Sequence, residues 1–150
     1  ADDFHARFTA KQKLYEYIII NRRAPLAIWQ HRAWLVREEL DVNKMQQAAM
    51  LLLGQHDFSS FRDSECQAKS PIRSIDNIQI KQEGNILRLQ FTAQSFLHHQ
   101  VRIMVGTLRN IGNGKWPVEQ INKILAATKR QAAGETAPAS GLYLISVEFV

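Results

Sequence analysis

Apolar residues recur at helical spacing between residues 95 and 112, and this is the clearest pattern in the chain. Ser95 precedes the pattern and is a good N-cap, so we predict a helix over residues 95–112. Gly106 lies in the middle of that helix, where glycine costs about 1 kcal/mol relative to alanine. Another segment is therefore expected to approach the helix closely at Gly106. The stripe consists of Leu97, Val101, Met104, Val105, Leu108 and Ile111.

Two more helices are predicted. Asp41 is a suitable N-cap, and apolar residues follow it with a period of three to four as far as Gly54, which is expected to end the helix. Pro117 stands where the first turn of a helix tolerates proline, and a second apolar stripe runs from Val118 to Leu125.

Strands are predicted where β-branched and aromatic residues alternate with polar ones. They cover residues 13–21, 28–36, 72–82, 86–93 and 142–150, and residues 83–85 form the turn of a hairpin. The polar stretch 56–71 is expected to be a functional loop or one that covers the core. The order of elements predicts one α+β domain over residues 1–150, with helices packed on a mostly antiparallel sheet.

Charge and composition limit the classes of function that this protein can have. The chain has 150 residues, a formal net charge of +5 and one cysteine, Cys66. A single cysteine excludes an internal disulfide and suits a reducing cytoplasm, while the positive charge favours a polyanionic partner such as nucleic acid. No apolar run is long enough to cross a membrane. The chain opens without methionine, so we expect a piece of a longer protein.

The residues alone do not form a recognisable catalytic set. His98 and His99 are adjacent, and on a helix they would diverge by about 100°, so no metal site is expected. Cys66 could be a nucleophile with a histidine as its base, although a lone cysteine is usually inert. The helix with His98, Arg102 and Arg109 at its edge is either the wall of an anion-binding cleft or a core helix with a solvated basic rim.

Five segments together resemble the tRNA pseudouridine synthase A family. They are residues 4–8 (FHARF), 14–17 (LYEY), 56–62 (HDFSSFR), 96–106 (FLHHQVRIMVG) and 136–144 (TAPASGLYL), in the family's order and at family-like spacing. Each segment alone is a weak signal, whereas five in order are specific and span nearly the whole chain.

The resemblance implies a pseudouridine-synthase-like C-terminal domain and a cytoplasmic homodimer. Such an enzyme isomerises uridine to pseudouridine in the anticodon stem-loop of tRNA, without a metal or an organic cofactor. The catalytic aspartate of the family lies in a Gly-Arg-Thr-Asp-Ala-Gly-like motif, which residues 1–150 do not contain. This chain is therefore expected to be inactive alone. The alternatives are a non-catalytic RNA-binding α+β module and a small structural domain with a basic face.

The resemblance also implies roles for individual residues. Arg102 matches the arginine that pairs with the catalytic aspartate, Tyr15 matches the tyrosine that stacks on the target base and takes part in proton transfer, and Leu142 matches an apolar residue beneath the site. Glu16 departs from the family, where a basic residue is common, and alternation turns it away from Tyr15. The family's tRNA-contacting segments correspond to Phe4, His5, Arg7, Phe8, Cys66, Gln67 and Lys69. Charge and placement add Arg62, Arg73, His98, His99 and Arg109 as RNA-binding candidates.

Overall fold

The computed structural model describes residues 10–23 and 31–149. It shows a mixed sheet of six strands with three α-helices, which confirms the α+β class. None of the helices in these two ranges is long and apolar enough to cross a membrane. The RNA-binding candidates Phe4, His5, Arg7 and Phe8 lie outside the described residues.

The sheet is built around its first strand. The strands are β1 (Ala10–Asn21), β2 (Trp34–Val36), β3 (Gly54–Asp57), β4 (Ile72–Glu83), β5 (Ile86–Ala93) and β6 (Leu142–Phe149). Their order is β2-β1-β5-β4-β3, and β6 pairs with the first part of β1 on the edge that β2 occupies further along. Only the β1–β2 pair is parallel, so the sheet is mostly antiparallel, as predicted.

The predicted hairpin is confirmed with nearly the predicted bounds. Strands β4 and β5 flank a turn in which Gly84 has a φ of 61°, a conformation that glycine adopts without steric cost. Leu87, Leu89, Phe91 and Ala93 of β5 are fully buried and the residues between them are only partly buried, because alternate side chains of a strand point to opposite faces. Strand β3 was not predicted, because its four residues GQHD are polar and carry no strand pattern.

The three helices are α1 (Val42–Met50), α2 (Gln100–Gly112) and α3 (Gln120–Ala127). Asp41 caps α1 as predicted, since its Oδ1 accepts from the backbone N–H of Lys44 at 3.1 Å. Gly54 does not end that helix, which closes at Leu51. With a φ of 84°, Gly54 instead begins strand β3.

Helix α2 begins five residues later than predicted, so the assignment of Ser95 as its N-cap is wrong. His99 has a φ of 62°, a left-handed conformation that interrupts the helix pattern immediately before Gln100. No side chain caps the first turn of α2, and the buried Gln100 side chain instead fixes the preceding turn, because its Oε1 accepts from the backbone N–H of Leu97 at 2.8 Å. Residues 95–97 therefore remain outside the helix, although Leu97 still packs in the core.

The core lies between one face of the sheet and the helices. Tyr17 and Ile19 of β1 belong to it together with the apolar residues of β5, and eleven of the thirteen residues of α2 are buried. The opposite sheet face carries Glu16, which is 8% exposed and bonds Arg88 at 3.0 Å and Gln90 at 2.8 Å. Glu16 thus faces away from the core side of β1, as alternation predicted.

At Gly106 the backbone of another segment packs directly against the backbone of α2, as the glycine in the middle of this helix predicted. A Cβ atom on Gly106 would lie 1.8 Å from the carbonyl oxygen of Glu135. Gly134 is equally restricted, because its Cβ would lie 2.8 Å from backbone atoms of Gly106. The two glycines allow residues 134–135 to cross directly over the helix.

We expect Gly106→Ala to destabilise the fold by about 3 kcal/mol, because the clash is with backbone that cannot move without shifting a whole segment. Gly112→Ala is the matched control in the same helix. Its Cβ would meet the Sδ atom of Met45 at 2.6 Å, and a methionine side chain can rotate away. Urea denaturation of both variants measures the difference, and equal stabilities would contradict the crossing.

Candidate active site

A cavity of about 330 Å³ opens between β1, the segment leading into α2, and the beginning of β6. It contains three residues to which the resemblance assigns roles, Tyr15, Arg102 and Leu142, although they are far apart in sequence. The complete lining is Lys13, Tyr15, Phe96, Leu97, His98, His99, Gln100, Val101, Arg102, Ala139 and Leu142.

One wall of the cavity is aromatic. The rings of Tyr15 and Phe96 meet edge to face, with centroids 5.3 Å apart and an interplanar angle of 82°. Both side chains are half-buried, and Leu142 is half-buried in the same lining. Such a wall is suited to a planar, partly apolar group.

Arg102 is held by the segment that crosses α2. Its Nε donates to the carbonyl oxygen of Ala137 at 2.7 Å, and the N–H of Ala137 donates back to the carbonyl of Arg102 at 3.0 Å. Within residues 10–23 and 31–149 no carboxylate pairs with this guanidinium. Its terminal nitrogens therefore remain available to an anion, while Nε fixes its position.

The segment that crosses α2 is also anchored by hydrogen bonds on both sides of Ala137. The Gly134 N–H donates to the Thr107 hydroxyl at 2.9 Å, and the Tyr17 hydroxyl donates to the Pro138 carbonyl at 2.5 Å. Burial raises the pKa of Tyr17 well above its usual range, although the positive charge of Arg102 opposes the shift. Tyr17 consequently stays protonated and keeps this hydrogen bond.

A second loop, residues 62–69, docks against the turn at His98 and His99. The backbone N–H of Asp63 donates to the His98 carbonyl at 3.2 Å. The Asp63 carboxylate accepts from the Glu65 N–H at 2.9 Å and lies 2.7 Å from Nδ1 of His99. The Glu65 N–H first, and His99 second, lower the pKa of Asp63, so the carboxylate is ionised at neutral pH.

Cys66 stands in a positive environment within this loop. Desolvation by burial raises its pKa, but hydrogen bonds from the backbone of Ala68 and His98 and the charges of Arg62 and Arg73 outweigh it, so the net shift is downward. A lower pKa increases the thiolate fraction at neutral pH.

The remaining RNA-binding candidates differ in their surroundings. Lys69 and Gln67 are exposed on the loop, and Arg62 is half-buried. Arg73 donates to the carbonyls of Ser70 and Ile72. They share the loop or its edge with Cys66 and lie outside the cavity lining.

Arg109 is engaged elsewhere. Its guanidinium pairs with Glu38 at 2.9 Å and with Glu135, and it lies 5.0 Å from the ring centroid of Trp34. Its side chain is 19% exposed. Two carboxylates and an aromatic ring explain its position structurally, and its RNA-binding role stays a prediction.

The prediction that His98 and His99 lie on a helix and diverge is wrong. His98 and His99 precede α2, and the left-handed conformation of His99 brings the two rings together instead of splaying them. Their centroids are 3.8 Å apart with an interplanar angle of 29°. Asp63 was missed by the sequence reasoning, because a single aspartate in a polar loop has no distinguishing pattern. Phe96 and Gln100 were noticed only as part of a motif.

The charges around the cavity have one sign. The charged residues Lys13 and Arg102 line the cavity together with His98 and His99, and no carboxylate is among the lining residues that the structure describes. A larger depression of about 680 Å³ lies beside the start of α1, but its charged residues, Asp41, Lys44 and Glu119, largely cancel. The smaller cavity is therefore the better anion-attracting site.

Comparison with known proteins identifies the family of this chain. A family model described as "tRNA pseudouridine synthase" matches residues 48–150, which include most of the cavity lining. The chain belongs to the tRNA pseudouridine synthase family. The range that the family model matches includes Arg102 and Leu142, whereas Tyr15 lies before it.

Individual relatives extend the similarity to nearly the whole chain. The chain is 53% identical over 148 residues to tRNA pseudouridine synthase A of Paramagnetospirillum magneticum and 51% identical over 148 residues to that of Wolbachia pipientis. It is 52% identical over 143 residues to that of Rhodospirillum centenum. These alignments cover 95–99% of this chain but only 58–60% of each relative.

The surroundings of Cys66 predict a thiol that reacts faster than an ordinary cysteine at neutral pH. Alkylation by iodoacetamide, followed across pH, should have its midpoint below that of an ordinary cysteine. Arg62→Gln should slow the reaction severalfold at neutral pH by removing a nearby positive charge. Lys69→Gln removes the same charge from an exposed part of the loop and should leave the rate nearly unchanged. A rate that falls equally in both variants would contradict the assignment.

Proposed function

We propose that the protein carrying this chain isomerises uridine to pseudouridine in the anticodon stem-loop of tRNA. The observation that supports the proposal most strongly is Arg102, anchored by Ala137 at a basic cavity with its terminal nitrogens free. Family membership and the activity for which the relatives are named support the same reaction. This chain would supply one part of the cleft and of the tRNA-binding surface.

The reaction exchanges one bond to the sugar for another. The bond between N1 of uracil and C1′ of ribose breaks, the base turns, and C5 forms a new bond to C1′. The proton on C5 is then lost, and N1 gains a proton. A carboxylate beside C1′ would stabilise or trap positive charge at that carbon.

In this proposal the carboxylate comes from outside residues 1–150, since the family's aspartate motif is not among them. Arg102 would receive it. A guanidinium held by a backbone carbonyl can hold a carboxylate in a fixed orientation and keep it ionised. The Ala137 contact would leave Arg102 little freedom to follow the base as it turns.

Tyr15 and Phe96 would retain the base once its bond to the sugar is broken. A uridine within a stem must leave the stack to reach an enclosed site, and an aromatic wall recovers part of the lost stacking. Tyr15 would also take part in proton transfer at C5, and Leu142 would pack beneath the base. His98 and His99 at the cavity, with Arg62, Lys69 and Arg73 on the neighbouring loop and strand, would contact the RNA backbone.

Two further features of the proposal follow from the family resemblance. The protein would act in the cytoplasm, where its tRNA substrate is processed, and it would act as a homodimer. Sedimentation of the intact protein tests the second feature directly. A purely monomeric protein at the concentration used for the activity assay would contradict the homodimer without affecting the proposed chemistry.

Arg102→Ala tests the central assignment in the intact protein. We expect kcat for pseudouridine formation on an unmodified tRNA transcript to fall by about 100-fold or more, because the catalytic carboxylate loses its partner. The Kd for tRNA, measured by filter binding, should rise by no more than about tenfold, since one contact among many is lost.

Lys123→Gln is the control for this experiment. It removes an exposed positive charge from α3, outside the cavity lining, and both constants should stay close to wild type. If Arg102→Ala weakens binding and turnover equally, the non-catalytic RNA-binding module becomes the better description. Absence of salt-dependent tRNA binding in the wild type would favour a structural domain.

A further inference from the structure

The turn before α2 gathers metal-ligating groups that the proposed reaction does not require. Because His99 adopts a left-handed conformation, the imidazoles of His98 and His99 lie against each other, with centroids 3.8 Å apart. A non-glycine residue in this conformation costs about 1–2 kcal/mol. The turn therefore holds two nitrogen ligands on one side of the chain at a position where regular helix would separate them.

Asp63 adds an oxygen ligand from a different segment. Its Oδ2 lies 2.7 Å from Nδ1 of His99, and one ligating atom from each of Asp63, His98 and His99 lies within 4.8 Å of the other two. The second carboxylate oxygen accepts from the Glu65 N–H at 2.9 Å, which fixes the orientation of the carboxylate. Metal-ligating carboxylates are commonly held by such additional hydrogen bonds.

We propose that Asp63, His98 and His99 form a binding site for a zinc-class transition-metal ion beside the cavity. Two imidazole nitrogens and one carboxylate oxygen suit Zn²⁺, Co²⁺ or Ni²⁺, whereas Mg²⁺ and Ca²⁺ prefer oxygen ligands throughout. Three protein ligands leave a coordination position for water or an oxygen anion. The inference does not depend on the proposed reaction.

The present separations suit a metal, but the two imidazole rings must rotate out of their stack to bind one ion, because rings at an interplanar angle of 29° direct their nitrogen lone pairs nearly parallel. Ligands about 2.1 Å from a tetrahedral ion lie about 3.4 Å from one another. This separation lies between the 2.7 Å from Asp63 Oδ2 to His99 Nδ1 and the 4.8 Å within which all three ligating atoms lie. Binding would replace the Asp63–His99 hydrogen bond with two metal bonds. The side chains of Asp63 and His99 are 28% and 30% exposed, and His98 is exposed, so an ion can enter from solvent.

Neighbouring charges set a limit on the affinity. Arg130 is close enough to Asp63 for the two charges to interact, and Arg102 and Lys13 line the adjacent cavity. These cations oppose a divalent ion, so this site should bind more weakly than a four-ligand structural zinc site.

Calorimetric titration of the intact, chelator-treated protein with Zn²⁺ alone tests the proposal. We expect one equivalent to bind, with affinity reduced at least tenfold in both His98→Ala and Asp63→Asn. Co²⁺ is the second probe, because histidine and carboxylate coordination in a tetrahedral site produces visible absorption bands that the same variants should abolish. Circular dichroism checks that each variant folds. If Asp63→Asn does not fold, the result for His98→Ala decides, because that substitution is at an exposed position.

Two control variants address adventitious binding. His31→Asn removes an exposed histidine outside the cluster and replaces it with a residue that tolerates its φ of 66°. Cys66→Ser removes the nearby thiol, which is not one of the three ligands. Both should bind Zn²⁺ like wild type. The proposal is overturned if wild type does not bind one equivalent, if His98→Ala binds as tightly as wild type, or if Cys66→Ser alone loses the ion.

Discussion

The backbone crossing between helix α2 and residues 134–135 is the constraint on which the candidate site depends. Gly106 and Gly134 permit a separation that a Cβ atom on either side would prevent. Once the segment lies at that distance, Ala137 can exchange two hydrogen bonds with Arg102, and Pro138 can accept from Tyr17. The position of a cationic side chain at the cavity is thus set by the packing of backbone several residues away.

Arg102 differs from two other arginines of the fold in having no carboxylate partner among the described residues. Glu16 is paired with Arg88 on the opposite sheet face, and Arg109 is paired with Glu38 and Glu135. Arg102 is held only through a carbonyl in the described part of the chain. A guanidinium that is fixed but not neutralised attracts an anion strongly, and a pseudouridine synthase would use it for a carboxylate supplied by another part of the protein.

A single left-handed residue determines how the two histidines are presented. His99 delays the start of α2, stacks its ring on His98 and places Nδ1 against Asp63. These contacts also attach the 62–69 loop, with its thiol and cations, to the edge of the cavity. The turn therefore links the loop that the resemblance associates with tRNA to two histidines proposed for RNA contact from their charge and placement, and it creates a cluster whose donors suit a metal ion.

The sequence by itself determined the elements whose signal is local. Alternation in β5, the cap at Asp41 and the amphipathic stripes predicted the hairpin and the helices, because periodicity and capping act over a few residues. The resemblance of short motifs nominated Tyr15, Arg102 and Leu142, which the structure brings to one cavity.

Only the tertiary structure decided what depends on partners distant in sequence. Strand β3 is too short and too polar to show a pattern and exists because β4 pairs with it. Of the strand predicted over residues 28–36, the part that the structure describes is extended only at Trp34–Val36, where β2 pairs with β1. The beginning of α2 was misplaced because the left-handed residue His99, in a turn that the Gln100 side chain stabilises, outweighed a good serine cap. Asp63 could not be recognised, because nothing local marks an aspartate that meets a histidine 36 residues away. Long-range contacts of this kind are properties of the packed chain, and no short window of sequence contains them.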